Sequence, residues 1–194
     1  MKKLVKKPIF YIAIALIIAV LNLFIIPKLG EMPLKVRVRG NVLKNSYFSI
    51  DISGYEDTLI GVKKTGRTSD LAHAYRDLDG EGKKQYIVVQ GVKVDSFSVP
   101  NKDYFLTDLK TAVNGNVAKA ELTRYESIPG VPADRGAIVS CVYEMADGSI
   151  RYYTDIIFSS EDGKLSFSIH FYDHDGDTEE DDIYKAAIDS FKVK

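Results

Sequence analysis

Residues 9 to 26, IFYIAIALIIAVLNLFII, run for eighteen positions without a charge, and Asn22 is their one clearly polar member. A helix of that length reaches about 27 Å, close to the hydrocarbon thickness of a bilayer. Pro8 and Pro27 bracket the run, and MKKLVKK precedes it. A cleavable signal has a shorter apolar core, roughly 7 to 15 residues, and ends in a small-x-small site. The residues that follow here, Asn22-Leu23-Phe24-Ile25-Ile26-Pro27-Lys28, offer no such site. Solid apolarity with no polar face also argues against a buried core helix. The expectation is an uncleaved transmembrane signal anchor over residues 8–27. Lys2, Lys3, Lys6 and Lys7 crowd its N-terminal end, which sets residues 1–7 in the cytoplasm. This predicts a single-pass cell-membrane protein with a juxtamembrane linker at 28–34 and an extracytoplasmic α+β domain over 35–194.

All 27 acidic residues follow position 29, while five of the 26 basic ones precede it, so the later part carries a net charge of −6. Nucleic-acid binding needs a basic footprint, and that class of partner is excluded. Cys141 is the single cysteine, which rules out an intrachain disulfide and any zinc site built on several thiolates. Twelve Tyr and nine Phe with no Trp suit a β-rich domain.

Lys35-Val36-Arg37-Val38-Arg39 alternates cleanly and predicts a strand with one basic face. That face makes Lys35, Arg37 and Arg39 candidates for contact with anionic lipid headgroups, against the plainer reading of a solvated strand face. Tyr47 to Ile52 predicts a second strand, with Thr58 to Lys64 as a hairpin partner. Ser69 to Asp77 reads equally as strand or short helix. Tyr86 to Val94 predicts another strand. Tyr104, Phe105, Leu109, Ala112 and Val113 then recur at helical spacing, with Asn101 or Asp103 as cap and Gly115 as stop.

After a strand at Ala118 to Ser127 and a rigid turn at Ile128 to Ala133, three extended runs follow: Gly136 to Met145, Ser149 to Ser159 and Lys164 to Tyr172. Their joints, Ala146-Asp147-Gly148 and Ser160-Glu161-Asp162-Gly163, both carry Asp-Gly, which predicts an antiparallel meander. Leu165, Phe167, Ile169 and Phe171 share one face, and Ser166, Ser168 and His170 the other. The apolar face demands a cover, for which a closing helix over Glu179 to Phe191 offers Ile183, Ala186, Ala187 and Phe191.

FSIDISGYE near the start, the SIPGVPADRG turn, the GSIRYYTDIIFSSEDGKLSFSIHFYD hairpin and the closing AIDSFKVK together resemble the PsbP-like fold. That is the family of the extrinsic P protein of photosystem II and its relatives. The resemblance covers about residues 45–194, and its motifs are turn and packing positions. It implies a twisted antiparallel sheet, with the C-terminal meander, covered by helices in an α-β-α sandwich. It also implies a non-enzymatic binding or assembly module.

Chemistry-bearing patterns are few. Residues 173–182, DHDGDTEEDD, hold seven carboxylates in ten positions, making Asp173, Asp175 and Asp177 candidates for calcium. The EF-hand spacing fails, because Thr178 stands where Gly is needed and Tyr184 where the bidentate Glu is needed. A loop entering a helix, with Asp177 or Thr178 as cap, explains most of the acids. His73, His170 and His174 are too scattered for a zinc site. Cys141 shares a strand face with Val139 and Tyr143 and reads as a small buried hydrophobe rather than a nucleophile. There is no G-x-S-x-G, Walker loop or G-x-G-x-x-G. Convergence of His170, Asp155 and Arg151 in a deep polar cleft would instead mark an enzyme.

No catalytic residue, metal or cofactor is therefore predicted. Tyr152, Tyr172 and His170 make a candidate surface for a protein partner. The expected function is non-catalytic binding or assembly at the membrane. The alternative is a small-ligand or metal-ion domain using the sheet cleft or the acidic loop, and an enzyme of unknown reaction comes third.

Overall fold

The computed structural model describes residues 34–65, 68–77, 84–112, 117–173 and 182–194. The chain divides into two units, Met1–Lys35 and Val36–Lys194, and every element below belongs to the second. Alternating segments become strands: β1 (Arg37–Arg39), β2 (Val42–Lys44), β3 (Phe48–Asp51), β4 (Asp57–Thr65), β5 (Thr68–Asp77) and β6 (Lys84–Lys93). Helix α1 (Lys102–Ala112) follows, then β7 (Val117–Ser127), β8 (Gly136–Met145), β9 (Ile150–Ser159), β10 (Leu165–Asp173), helix α2 (Asp182–Ser190) and β11 (Lys192–Val193). Among the described residues two sheets form, a four-stranded one in the order β1-β2-β3-β11 and a seven-stranded one in the order β4-β5-β6-β10-β9-β8-β7.

The inner face of the large sheet carries Phe158 from β9 and Phe167, Ile169 and Phe171 from β10, all shut off from water. Phe48 of the small sheet sets its ring 5.6 Å from Phe158 and 5.8 Å from Phe167. Phe191 closes the cluster at 5.2 Å from Phe158. Each such ring contributes on the order of 1.5–3 kcal/mol by leaving water. Beside the small sheet, α2 lays Tyr184, Ala187 and Ile188 on the same face. The Tyr184 ring meets Phe171 edge-on at 5.3 Å, and its hydroxyl donates to Thr154 Oγ1 at 2.6 Å. Thr154 in turn lies 2.8 Å from Ser140 Oγ, so three buried hydroxyls satisfy one another.

Several expectations are corrected here. The fold is predominantly antiparallel strand rather than an α-β-α sandwich. The main cover of the inner face is a second sheet, because AIDSFKVK leaves the helix at Ser190 and pairs Lys192 with Ser49 of β3. β4 is no partner of β3; it joins the large sheet beside β5, and Ser69 to Asp77 is strand. The covering face of α2 is turned from the expected one, with Ala186 exposed and Tyr184 buried.

The expected basic segment 1–7 and span 8–27, and the linker to residue 33, lie outside the described residues. Among the described residues no helix is long and apolar enough to cross a membrane. The helices have 11 and 9 residues, where a span needs about 20. On that finding the transmembrane helix and the single-pass, N-in membrane location drawn from it are set aside. Arg37 and Arg39 are exposed on β1, Lys35 is exposed ahead of it, and the solvated reading of that face needs no lipid.

The turns obey local chemistry. Gly148 (φ 82°) and Gly163 (φ 65°) take the left-handed conformation that glycine adopts without strain. Asp147 Oδ1 accepts from the Ser149 hydroxyl at 2.6 Å and from the Ser149 amide at 2.9 Å, and the two, the hydroxyl first, hold its carboxyl below the usual range. Edge strand β7 is irregular, with register shifts between Val117 and Lys119 and between Leu122 and Arg124. Its outward charges pair along the strand, Lys119 with Glu121 at 3.6 Å and Arg124 with Glu126.

Candidate functional site

The face of the large sheet opposite that core carries the chemistry. Register aligns its side chains in ranks that cross the strands. Tyr75 stands opposite Tyr86, Tyr86 opposite Tyr172, and Tyr172 opposite Tyr153, one tyrosine each from β5, β6, β10 and β9. Ring centroids are 6.4 Å apart for Tyr75 and Tyr86 and 5.1 Å for Tyr153 and Tyr172. The next rank is His73, Val88, His170 and Asp155. Beyond it stand Asp70, Gln90 and Ser168.

His170 joins these ranks. Its Nδ1 lies 2.7 Å from the Tyr153 hydroxyl and in direct contact with Asp155 Oδ1. Its Nε2 lies 2.9 Å from Ser168 Oγ and 3.1 Å from Gln90 Oε1. Gln90 Nε2 donates onward to Asp70 Oδ1 at 2.8 Å, and Asp70 Oδ2 is 3.8 Å from His73 Nε2. One continuous polar line thus runs from β9 to β5. Asp155 is only 4% exposed, and the His170 ring stacks beside Tyr153 at 6.0 Å.

Electrostatics keep the neighbours protonated. Burial, and then the Asp155 charge, push the Tyr172 phenol up to about 12 and the Cys141 thiol up to about 12. The same two causes hold Tyr153 well above the ordinary phenol value. Cys141 is therefore an unreactive thiol, packed with Ala137 and Val139 under Phe105 of α1. Asn101 caps that helix, accepting from the Tyr104 amide at 2.8 Å.

By distance alone, Ser168, His170 and Asp155 form a nucleophile, base and orienting carboxylate. Two features argue against acyl transfer. The Gln90 amide is oriented by Asp70, so its carbonyl oxygen faces His170 Nε2, and that nitrogen must donate rather than take a proton from serine. Ser168 also sits mid-strand, paired with Gln90 on one side and Ile157 on the other. Its surrounding amides belong to the ladder and leave no oxyanion donors.

Of the predicted surface, Tyr172 and His170 come together, their rings 6.0 Å apart. Tyr152 does not join them, since its register with Val142 and Asp173 puts it on the opposite face. Arg151 stands opposite Tyr143, a rank beyond Tyr153, so the convergence with His170 and Asp155 is partial. Asp175 and Asp177, and the side chain of Asp173, lie outside the described residues. Among the described residues no group of His, Cys, Asp and Glu gathers to hold a metal. Sequence reading missed Gln90, Asp70 and His73. Asp155 carried a local signal, a lone acid inside the apolar run YYTDIIF.

No family model matches the chain, and no curated protein does. Among solved structures, that of the Saccharomyces cerevisiae Ran-binding protein Mog1p is similar, at 9% sequence identity and a TM-score of 0.47. The match covers 75% of this chain and 89% of that one. A likeness at that score carries no argument about what this chain does.

Proposed function

We propose that the Val36–Lys194 domain is a non-catalytic binding module that takes a protein partner on the outer face of its seven-stranded sheet, centred on Tyr172 and His170. One observation carries this reading. The inner face is closed by the small sheet and α2, whereas Tyr75, Tyr86, Tyr172 and Tyr153 line up across four strands of the outer face as a rank of partly buried rings, beside the part of that face that Phe105 of α1 covers at Cys141. Tyrosine combines apolar area with a hydrogen-bonding tip and two rotatable angles, which suits a recognition surface. The satisfied, ladder-bound state of Ser168 and His170 favours binding over catalysis.

The test is a photo-crosslinking amino acid placed at Tyr172 and, as a control, at the exposed Lys119 of β7. A specific adduct from position 172 is expected, absent at 119 and lost when Tyr86→Ala is added without change in melting temperature. Adducts that are equal at both positions, or that survive the Tyr86 change, would move the binding face elsewhere.

A further inference from the structure

We propose that His170 is carried as an imidazolium, clamped between Asp155 on β9 and the Gln90–Asp70 pair on β6 and β5, and that its proton is a latch holding the outer face in order. An ionised carboxylate only accepts, so the Gln90 amide must turn its NH₂ toward Asp70 and its oxygen toward His170 Nε2, 3.1 Å away. That nitrogen then carries a proton. At the other end Nδ1 is paired with Asp155 Oδ1, a second acceptor. A lone pair on Nδ1 facing a carboxylate is repulsive, so this nitrogen carries a proton too. The Tyr153 hydroxyl is left to donate to Asp155, with which it is hydrogen-bonded.

Burial alone favours neutral imidazole. Here the neighbouring carboxylate is itself nearly out of water, and an unpaired buried charge costs more than a paired one. The other titratable groups nearby agree in sign. Asp70 adds negative charge from β5, where His73 already lies against it. Tyr153, Tyr172 and, on β8, Cys141 stay neutral, and Arg151 stands a rank beyond Tyr153.

The consequence is a proton-sensitive face. Free histidine gives up its proton near pH 6.5. Above that pH the native chain holds one proton more than the unfolded chain, so the clamp's contribution is complete below it and lost as pH rises. Once solvent removes the proton, Asp155 and the His170 ring no longer attract, and Tyr153 and Tyr172, whose rings pack on His170, lose their support. The latch does not depend on the outer face binding a partner, so each idea can fail alone.

Ring ¹⁵N–¹H correlation spectra of the labelled Val36–Lys194 unit in its full chain, followed from pH 5 to 9, decide the matter. Both His170 ring nitrogens are expected to stay protonated beyond the ordinary histidine range, with Tyr153 and Tyr172 ring signals moving at the same midpoint. Asp155→Asn is expected to lower that midpoint. A neutral, singly protonated His170 at pH 6, or tyrosine rings that do not respond while it titrates, would overturn the proposal. The wild-type titration alone is decisive if the variant does not fold.

Discussion

Phe158 and Phe167 stack across β9 and β10 with centroids 5.2 Å apart and rings inclined by only 18°. Both are inaccessible to water, and Phe48 of the small sheet packs its ring against each. This contact joins the two sheets and sets the scale for the first prediction.

Phe167→Ala should cost about 3–5 kcal/mol, since it leaves a cavity where the ring stood. Ser166→Ala, one residue away on the outer face, should stay within about 0.5 kcal/mol. Urea unfolding midpoints for the two variants measure the difference. Similar costs would mean that burial of this strand is not one-sided.

Gly136 opens β8 where the Ile128 turn presses on it. A methyl group there would lie 2.7 Å from Ile128 Cδ1 and 3.1 Å from the Ile157 carbonyl oxygen. Gly136→Ala should therefore cost about 1–3 kcal/mol through overpacking. Ile128→Val removes the nearest colliding atom, so the double variant should be more stable than the summed single effects. Additivity in that cycle would place the strain in the backbone instead.

The buried hydroxyl chain gives a third expectation. Tyr184→Phe removes the donor to Thr154 while keeping the ring against Phe171. A buried acceptor left short of a partner costs about 1–3 kcal/mol. Adding Thr154→Val should recover part of the loss, and a thermal melting series would show it.

Alkaline pH should weaken the fold. The Cys141 thiol rises from 9.0 to about 12 and the Tyr172 phenol from 10.0 to about 12. Between those values the folded chain binds more protons than the unfolded one, so stability is whole below about pH 9 and falls as pH climbs. Cys141→Ala should flatten the lower part of that fall. The native thiol should also resist alkylation at pH 8 until denaturant is added.

The strands around the Asp-Gly turns were legible because period-two alternation and turn chemistry are both local. Leu165, Phe167, Ile169 and Phe171 could be assigned to one face from spacing alone. The face of α2 could not. Spacing offers Ile183 and Ala186 for the cover, yet two buried hydroxyls on β8 and β9 meet the Tyr184 phenol, and those partners lie 30 and more residues away. The polar line on the outer face was hidden for the same reason. Gln90 and His170 are 80 positions apart, and only the order of β6 next to β10 brings them together.

β7 is the long rim of the large sheet, and its two register shifts and paired charges have a consequence in solution. A rim of eleven residues with open amides and carbonyls would ordinarily invite another chain to add on, and then another. Here an incoming strand would meet a twist it cannot follow and would have to strip water from Lys119, Glu121, Arg124 and Glu126. The growth of a fibre from this side stops before its first layer.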